Sequence, residues 1–270
     1  MNFVLIYLCS ILTTVLDKKI LSREHDNELD MQNIKIHIFV PIICHLKLLT
    51  RLNLTNTRIF EIPEKIENLQ NLKFLNLSRN KIDKLPKSIG KLQKLKNIDI
   101  SCNKLKSLPC TFSDLKLKNF YCKKNMFKEF PIEILNMSSL IVIDMSKNQI
   151  KTVCTLHLPF LKILNISYNA IEEIPIVKST NLILLNLNGN LIKELTIDLC
   201  KIKSLKKLLL CENIITKIET YVLEFCDQLE LLDLRDNYIS DLADDKYLNH
   251  EDLINWFGDV VCLDLDKNIL

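Results

Sequence analysis

Residues 72–82 read L-K-F-L-N-L-S-R-N-K-I, and this stretch decides the fold. Leu75 and Leu77 alternate with Phe74, Asn76 and Ser78, the period of a short strand with one apolar face. Leu72 and Ile82 flank that strand as further inward positions, and Asn80 falls where the chain turns away.

The pattern recurs along the chain. Copies begin at Leu49, Leu72, Leu95, Leu117, Leu140, Leu161, Leu182, Leu205, Leu229 and Val260, at intervals of 23, 23, 22, 23, 21, 21, 23, 24 and 31 residues. A fixed register held over so many copies is the signature of a repeat protein. The asparagine recurs as Asn80, Asn103, Asn125, Asn148, Asn169, Asn190, Asn213, Asn237 and Asn268, with Thr57 in its place in the first copy. A carboxamide both donates and accepts, so it can satisfy the backbone of the turn beside it. Stacked asparagines are expected to form a hydrogen-bonded ladder. Pro63, Pro86, Pro109, Pro131 and Pro175 each stand 14 residues after the start of their copy. Proline suits a return segment better than a central strand, and apolar spacings such as Pro86, Ile89, Leu92 predict one or two turns of α- or 3₁₀-helix there. One such unit cannot bury its own apolar face. Stacking does so, which predicts an α/β architecture: a curved solenoid with a parallel β-sheet on its concave face and short helices or 3₁₀ turns on its convex face.

The L-x-x-L-x-L-x-x-N-x-L pattern resembles the leucine-rich repeat family from about residue 46 to 270. The 23-residue period and the Leu-Pro step resemble its intracellular, Ras-suppressor-like subgroup of small scaffolds, although Cys154, Thr196, Glu219 and Ala243 break the proline column. The resemblance implies a protein–protein interaction module or adaptor that binds a partner on the concave face. Two alternatives stay open: a secreted recognition protein, and nucleic-acid binding through basic middle repeats.

Residues 1–45 follow the motif poorly and are expected to form an N-terminal cap that contains a degenerate copy from Leu29 to Pro41. The first 16 residues carry no charge. They are short for a membrane span of about 20 residues, and lack both the leading lysine or arginine and the A-x-A-like site of a signal peptide. A cytoplasmic protein without a membrane span is therefore expected, with secretion as the alternative. The sequons at Asn53, Asn76 and Asn165 arise from the strand motif itself and, with Asn136, are weak support for glycosylation. The insertion at about 241–259, with Trp256, reads as an amphipathic helix over the last repeats.

Residue chemistry argues against catalysis. Only three glycines occur in 270 residues, so no phosphate-cradling loop is present, and the five histidines fall in no catalytic pattern. Ten cysteines include no C-x-x-C pair, which speaks against a zinc site and for buried, reduced thiols. Asp264, Asp266 and Asn268 alternate like calcium ligands but lack the glycine that should follow. No cofactor, metal or enzymatic activity is expected.

Candidate contact residues lie at exposed strand positions. Val142, Ile163 and Leu184 are consecutive in the stack, and strands about 4.8 Å apart would bring them into contact. Tyr121, Tyr168 and Leu209 stand near the edges of that apolar column, and Lys96 and Lys118 on the basic side. An apolar patch with tyrosines suits a partner anchor. Net charge is only +3, yet residues 81–128 carry 13 lysines against three acids, and residues 227–270 carry 12 acids against three bases. Such polarity can steer an acidic partner toward the middle repeats.

Overall fold

The computed structural model describes residues 27–195, 199, 202–219, 228–239 and 241–243. The uncharged leader, the Trp256 helix and the copy that begins at Val260 lie outside the described residues. The chain divides into two compact units, Met1–Met126 and Phe127–Leu270.

In the first unit, five strands of three residues pair in parallel in chain order: β1 (Glu28–Asp30), β2 (Arg51–Asn53), β3 (Phe74–Asn76), β4 (Asn97–Asp99) and β5 (Asn119–Tyr121). Register follows the motif, with Leu52, Leu75, Ile98 and Phe120 in line. Leu29 pairs with Leu52, so the degenerate copy stacks on the first regular repeat. The inward positions are sealed: Leu72, Leu75, Leu77 and Ile82 are fully buried. Burial of a leucine side chain contributes about 1.5–3 kcal/mol, and every repeat supplies several. The return segments carry 3₁₀ helices η1 (Pro41–His45), η2 (Glu64–Asn68), η3 (Lys87–Lys91) and η4 (Cys110–Asp114). Pro63, Pro86 and Pro109 stand just before η2, η3 and η4 in extended conformation, so proline sets the entry into each turn. Gly90 in η3 lies so close to the next repeat that a Cβ built on it would meet the Thr111 carbonyl oxygen at 2.2 Å.

The second unit repeats the plan with β6 (Val142–Asp144), β7 (Ile163–Asn165), β8 (Leu184–Asn186), β9 (Lys207–Leu209) and β11 (Leu231–Asp233), parallel and in that order. Its return segments differ. Pro131 leads into η5 (Ile132–Ile134), but the next two repeats, only 21 residues long, have no room for a further turn and run extended. Leu156 bridges Val177 in parallel there, and Pro175 lies in that extended run rather than before a 3₁₀ helix. Further along, β10 (Lys217–Glu219) pairs in parallel with β12 (Asp241–Ala243). The insertion expected to be helical from about residue 241 therefore begins as a strand of the return side; its remainder is outside the described residues.

The asparagines tie neighbouring repeats together. In the first unit, Asn103 Nδ2 donates to the Ile100 carbonyl of its own repeat and to the Leu77 carbonyl of the preceding one, both at 3.0 Å. Its Oδ1 accepts the Ile82 amide at 3.0 Å. In the second unit, Asn190 reaches Leu187 at 2.8 Å and Ile166 at 3.2 Å and accepts from Ile171 at 3.1 Å. Asn80, Asn125, Asn169, Asn213 and Asn237 make the same three kinds of bond. Asn148 donates to Met145 and accepts from Phe127. Thr57 fills the asparagine position of its repeat with a hydroxyl 2.9 Å from the Leu54 carbonyl.

Candidate partner-binding surface

Each strand has two outward positions, one before and one after its central inward residue, and they have different roles. The second position is mostly an acid or amide that closes its own strand. In the first unit the Oδ1 atoms of Asp30, Asn53, Asn76 and Asp99 accept the backbone amides of Gln32, Thr55, Ser78 and Ser101 at 2.9–3.1 Å. In the second unit Asp144, Asn165, Asn186 and Asp233 do the same for Ser146, Ser167, Asn188 and Arg235 at 2.9–3.3 Å. These side chains are strand-end caps that turn the chain toward the ladder. Asp233 is buried and also takes a two-pronged ion pair from Arg235, which holds its carboxyl below the usual range. The residue before each ladder position then adopts a left-handed conformation, with φ of 55–58° at Arg79, Cys102 and Lys124 and 53–56° at Lys147, Tyr168, Glu212 and Asp236. Only Gly189 among these is a glycine, so the usual sequence sign of such a turn is missing.

The first outward position is the open one. In the second unit Val142 pairs with Ile163 and Ile163 with Leu184, so the expected apolar column exists as three adjacent strand residues. Ile163 is 38% exposed, and Val142 and Leu184 are half-buried. The column ends at Lys207, in register with Leu184. Further apolar residues lie outside the column: Ile183, which precedes its strand, is 38% exposed and Phe160, which precedes Leu161, 60%, while Lys162 stands between Ile141 and Ile183 in the stack. The signal for the two isoleucines was available, since their position is lysine in Lys73, Lys96 and Lys118 of the first unit but isoleucine in two repeats of the second.

The edge residues divide. Leu209 is half-buried in register between Asn186 and Asp233, diagonal to Leu184 rather than in line with it. Tyr168 is 43% exposed and at the same time engaged with its neighbours. Its ring covers Gly189, where a Cβ would meet Cδ1 at 2.5 Å, and its hydroxyl donates to Glu212 Oε1 at 3.2 Å. That carboxylate raises the phenol pKa above its ordinary value, and Lys147 Nζ lies 5.1 Å from the ring centroid on the other side. Tyr168 is thus a strap across three repeats.

In the first unit the strand face is polar. Arg51 stacks at 4.3 Å on Phe74, Asn119 donates to Asn97, and Tyr121 is exposed in register with Asp99. Lys118 is exposed, and Lys96 reaches along the rim to the Lys116 carbonyl at 3.2 Å. Among the described residues no cluster of histidine, cysteine or acid could hold a metal, and no helix is long and apolar enough to cross a membrane.

The comparisons with known proteins agree with this geometry. A family profile described as a leucine-rich repeat region matches residues 28–95 and 64–156. A leucine-rich repeat protein of Leptospira interrogans is similar at 26% identity and a TM-score of 0.52, over 83% of this chain and 76% of that one. The LRIM1/APL1C complex matches at 22% and 0.69, over 80% of this chain and 40% of that one. The ectodomain of the Arabidopsis thaliana receptor kinase GASSHO1/SCHENGEN3, solved in complex with CASPARIAN STRIP INTEGRITY FACTOR 2, matches at 23% and 0.58, over 79% and 30%. The chain therefore spans less than half of the last two, and those likenesses are of fold. No curated protein matches the sequence. Repeat register, asparagine ladder and family profile converge on one conclusion: the chain is a leucine-rich repeat protein, with a fold commonly used as a protein–protein interaction module.

Proposed function

We propose that the protein is a non-enzymatic adaptor that seats a partner protein on the strand face of its second unit. The observation that carries this is the apolar column of Val142, Ile163 and Leu184 on three adjacent strands whose other outward residues are acids or amides. Exposed apolar area of this kind is costly in water unless a partner uses it, and a central aliphatic group ringed by polar side chains fits an interface anchor. Two of the similar structures are themselves complexes with another protein or peptide, which supports the reading. The Leu-Pro steps that open η3 and η4, with proline also before η2 and η5, support kinship with the Ras-suppressor-like subgroup. Free thiols at Cys44, Cys102, Cys110, Cys122, Cys154 and Cys211 support a reducing, cytoplasmic setting.

The test is Ile163→Glu. At an exposed position the new charge stays hydrated in the free protein, so the melting temperature is expected to remain within a degree or two of wild type. In an interface the same charge is buried without a partner, so proteins captured by wild type in proximity labelling should be lost at least tenfold. Unfolding of the variant shows the column to be core, and an unchanged capture list shows that the partner uses another surface.

A further inference from the structure

We propose a second docking site, on the first unit, in which Tyr121 anchors an acidic polypeptide segment of a partner. It goes beyond the apolar surface of the second unit and uses none of its residues.

The capping column points to it. Eight of the ten strands in register close on their own Asp or Asn. The two exceptions are Tyr121 and Leu209, neither of which can accept the amide two residues on. In both cases the preceding repeat supplies the missing acceptor. Ser101 Oγ accepts the Lys123 amide at 3.2 Å, and Asn188 Oδ1 accepts the Cys211 amide at 2.8 Å. The Lys123 amide lies at an exposed site, so the neighbour's hydroxyl takes the place of the missing cap at little cost. Leu209 is half-buried between two polar side chains, whereas Tyr121 is 36% exposed. Its ring supplies no cap and is partly open to solvent. A local rule broken without structural gain, and rescued from next door, marks a position kept for contact.

The surroundings fix the chemistry of what Tyr121 meets. Residues 95–126 hold seven lysines, Lys96, Lys104, Lys106, Lys116, Lys118, Lys123 and Lys124, against Asp99 and Asp114. Among the described residues none of the seven is ion-paired. Lys118 immediately precedes the strand that ends at Tyr121, and Lys123 and Lys124 follow it, so lysines flank that strand at both ends. Asp99, in register beside the ring, has its Oδ1 committed to the Ser101 amide. Unpaired cations around one amphipathic ring suit glutamate or aspartate side chains flanking an apolar one. A single-stranded nucleic acid is favoured less. Stacking needs successive free ring faces, and the other aromatic of this face, Phe74, is already covered by Arg51 at 4.3 Å.

The experiment titrates the full chain with a labelled glutamate-rich peptide carrying a central leucine, with oligothymidine of matched charge as competitor. The peptide should bind with a steep salt dependence. Tyr121→Asn gives the strand the cap used elsewhere in the column, so it should melt at or above the wild-type temperature while peptide affinity falls about tenfold or more. Tyr121→Ala, which leaves the Ser101 bond in place, should lose the same affinity and serves if the first variant folds poorly. Lys118→Glu with Lys123→Glu should weaken binding and flatten its salt dependence. Ile163→Glu should leave the peptide untouched, which separates this site from that of the second unit. Wild-type peptide affinity in both Tyr121 variants overturns the proposal. So does the absence of peptide binding, or oligothymidine that outcompetes the peptide.

Discussion

At the residue scale, the ladder asparagine is the side chain with the most bonds per atom. In the second unit, Asn190 joins its own turn to the preceding repeat through two donated bonds and one accepted bond. Alanine would leave the buried Ile171 amide without its acceptor, while the Ile166 and Leu187 carbonyls would each keep one bond, from Asn169 and Asn213. Each buried unpaired group costs about 1–3 kcal/mol, though water entering the gap recovers part of it. Asn190→Ala is expected to lower unfolding stability by about 1–3 kcal/mol in a urea melt. Lys193→Ala, which removes an exposed Lys193–Glu172 pair at 3.4 Å, should change it by less than about 0.5 kcal/mol. Equal losses in the two variants would mean that the asparagine bonds carry no weight.

At the element scale, the return segment is where repeats approach most closely. Within the first unit, η3 packs Gly90 against the backbone of Thr111 in the next return segment. A methyl group there collides with a carbonyl oxygen, which cannot rotate away as a side-chain end could. Gly90→Ala is therefore expected to destabilise the protein by about 1–3 kcal/mol even though alanine has the better helical propensity. Calorimetry that showed a raised melting temperature would instead mean that η3 shifts freely. Repeat length decides whether such a turn forms at all: 22- and 23-residue copies close with 3₁₀ turns from η2 to η5, and 21-residue copies run extended and bridge at Leu156 and Val177.

At the scale of the whole molecule, the cysteines give a reading of compartment. Alkylation of the denatured, unreduced protein should label all six described cysteines, and a disulfide-linked peptide joining any two would sink the proposal of a cytoplasmic setting. In the native protein, Cys110 and Cys154 are exposed, whereas burial pushes the Cys44 thiol up to about 11. A buried thiol with so high a pKa is almost entirely protonated at neutral pH, so its labelling should lag far behind theirs.

Much of this was legible in the linear chain, because a repeat protein writes its core as a period. The spacing of Leu72, Leu75, Leu77, Asn80 and Ile82 settled strand positions, register and the sheet's parallel sense, since stacked copies can pair in only one way. The Val142–Ile163–Leu184 column followed from the same spacing. What sequence could not separate were outward residues of like polarity. Asn76 and Asp99 look as available as Asn97, yet their oxygens close the strand, and Tyr168 looks as free as Tyr121, yet it lies across Gly189 and reaches Glu212. Those outcomes depend on which backbone amide or neighbouring ring comes within about 3–5 Å in the folded chain. Period determines which residues face inward; only the stacked repeats decide which outward residues are already engaged by the protein itself.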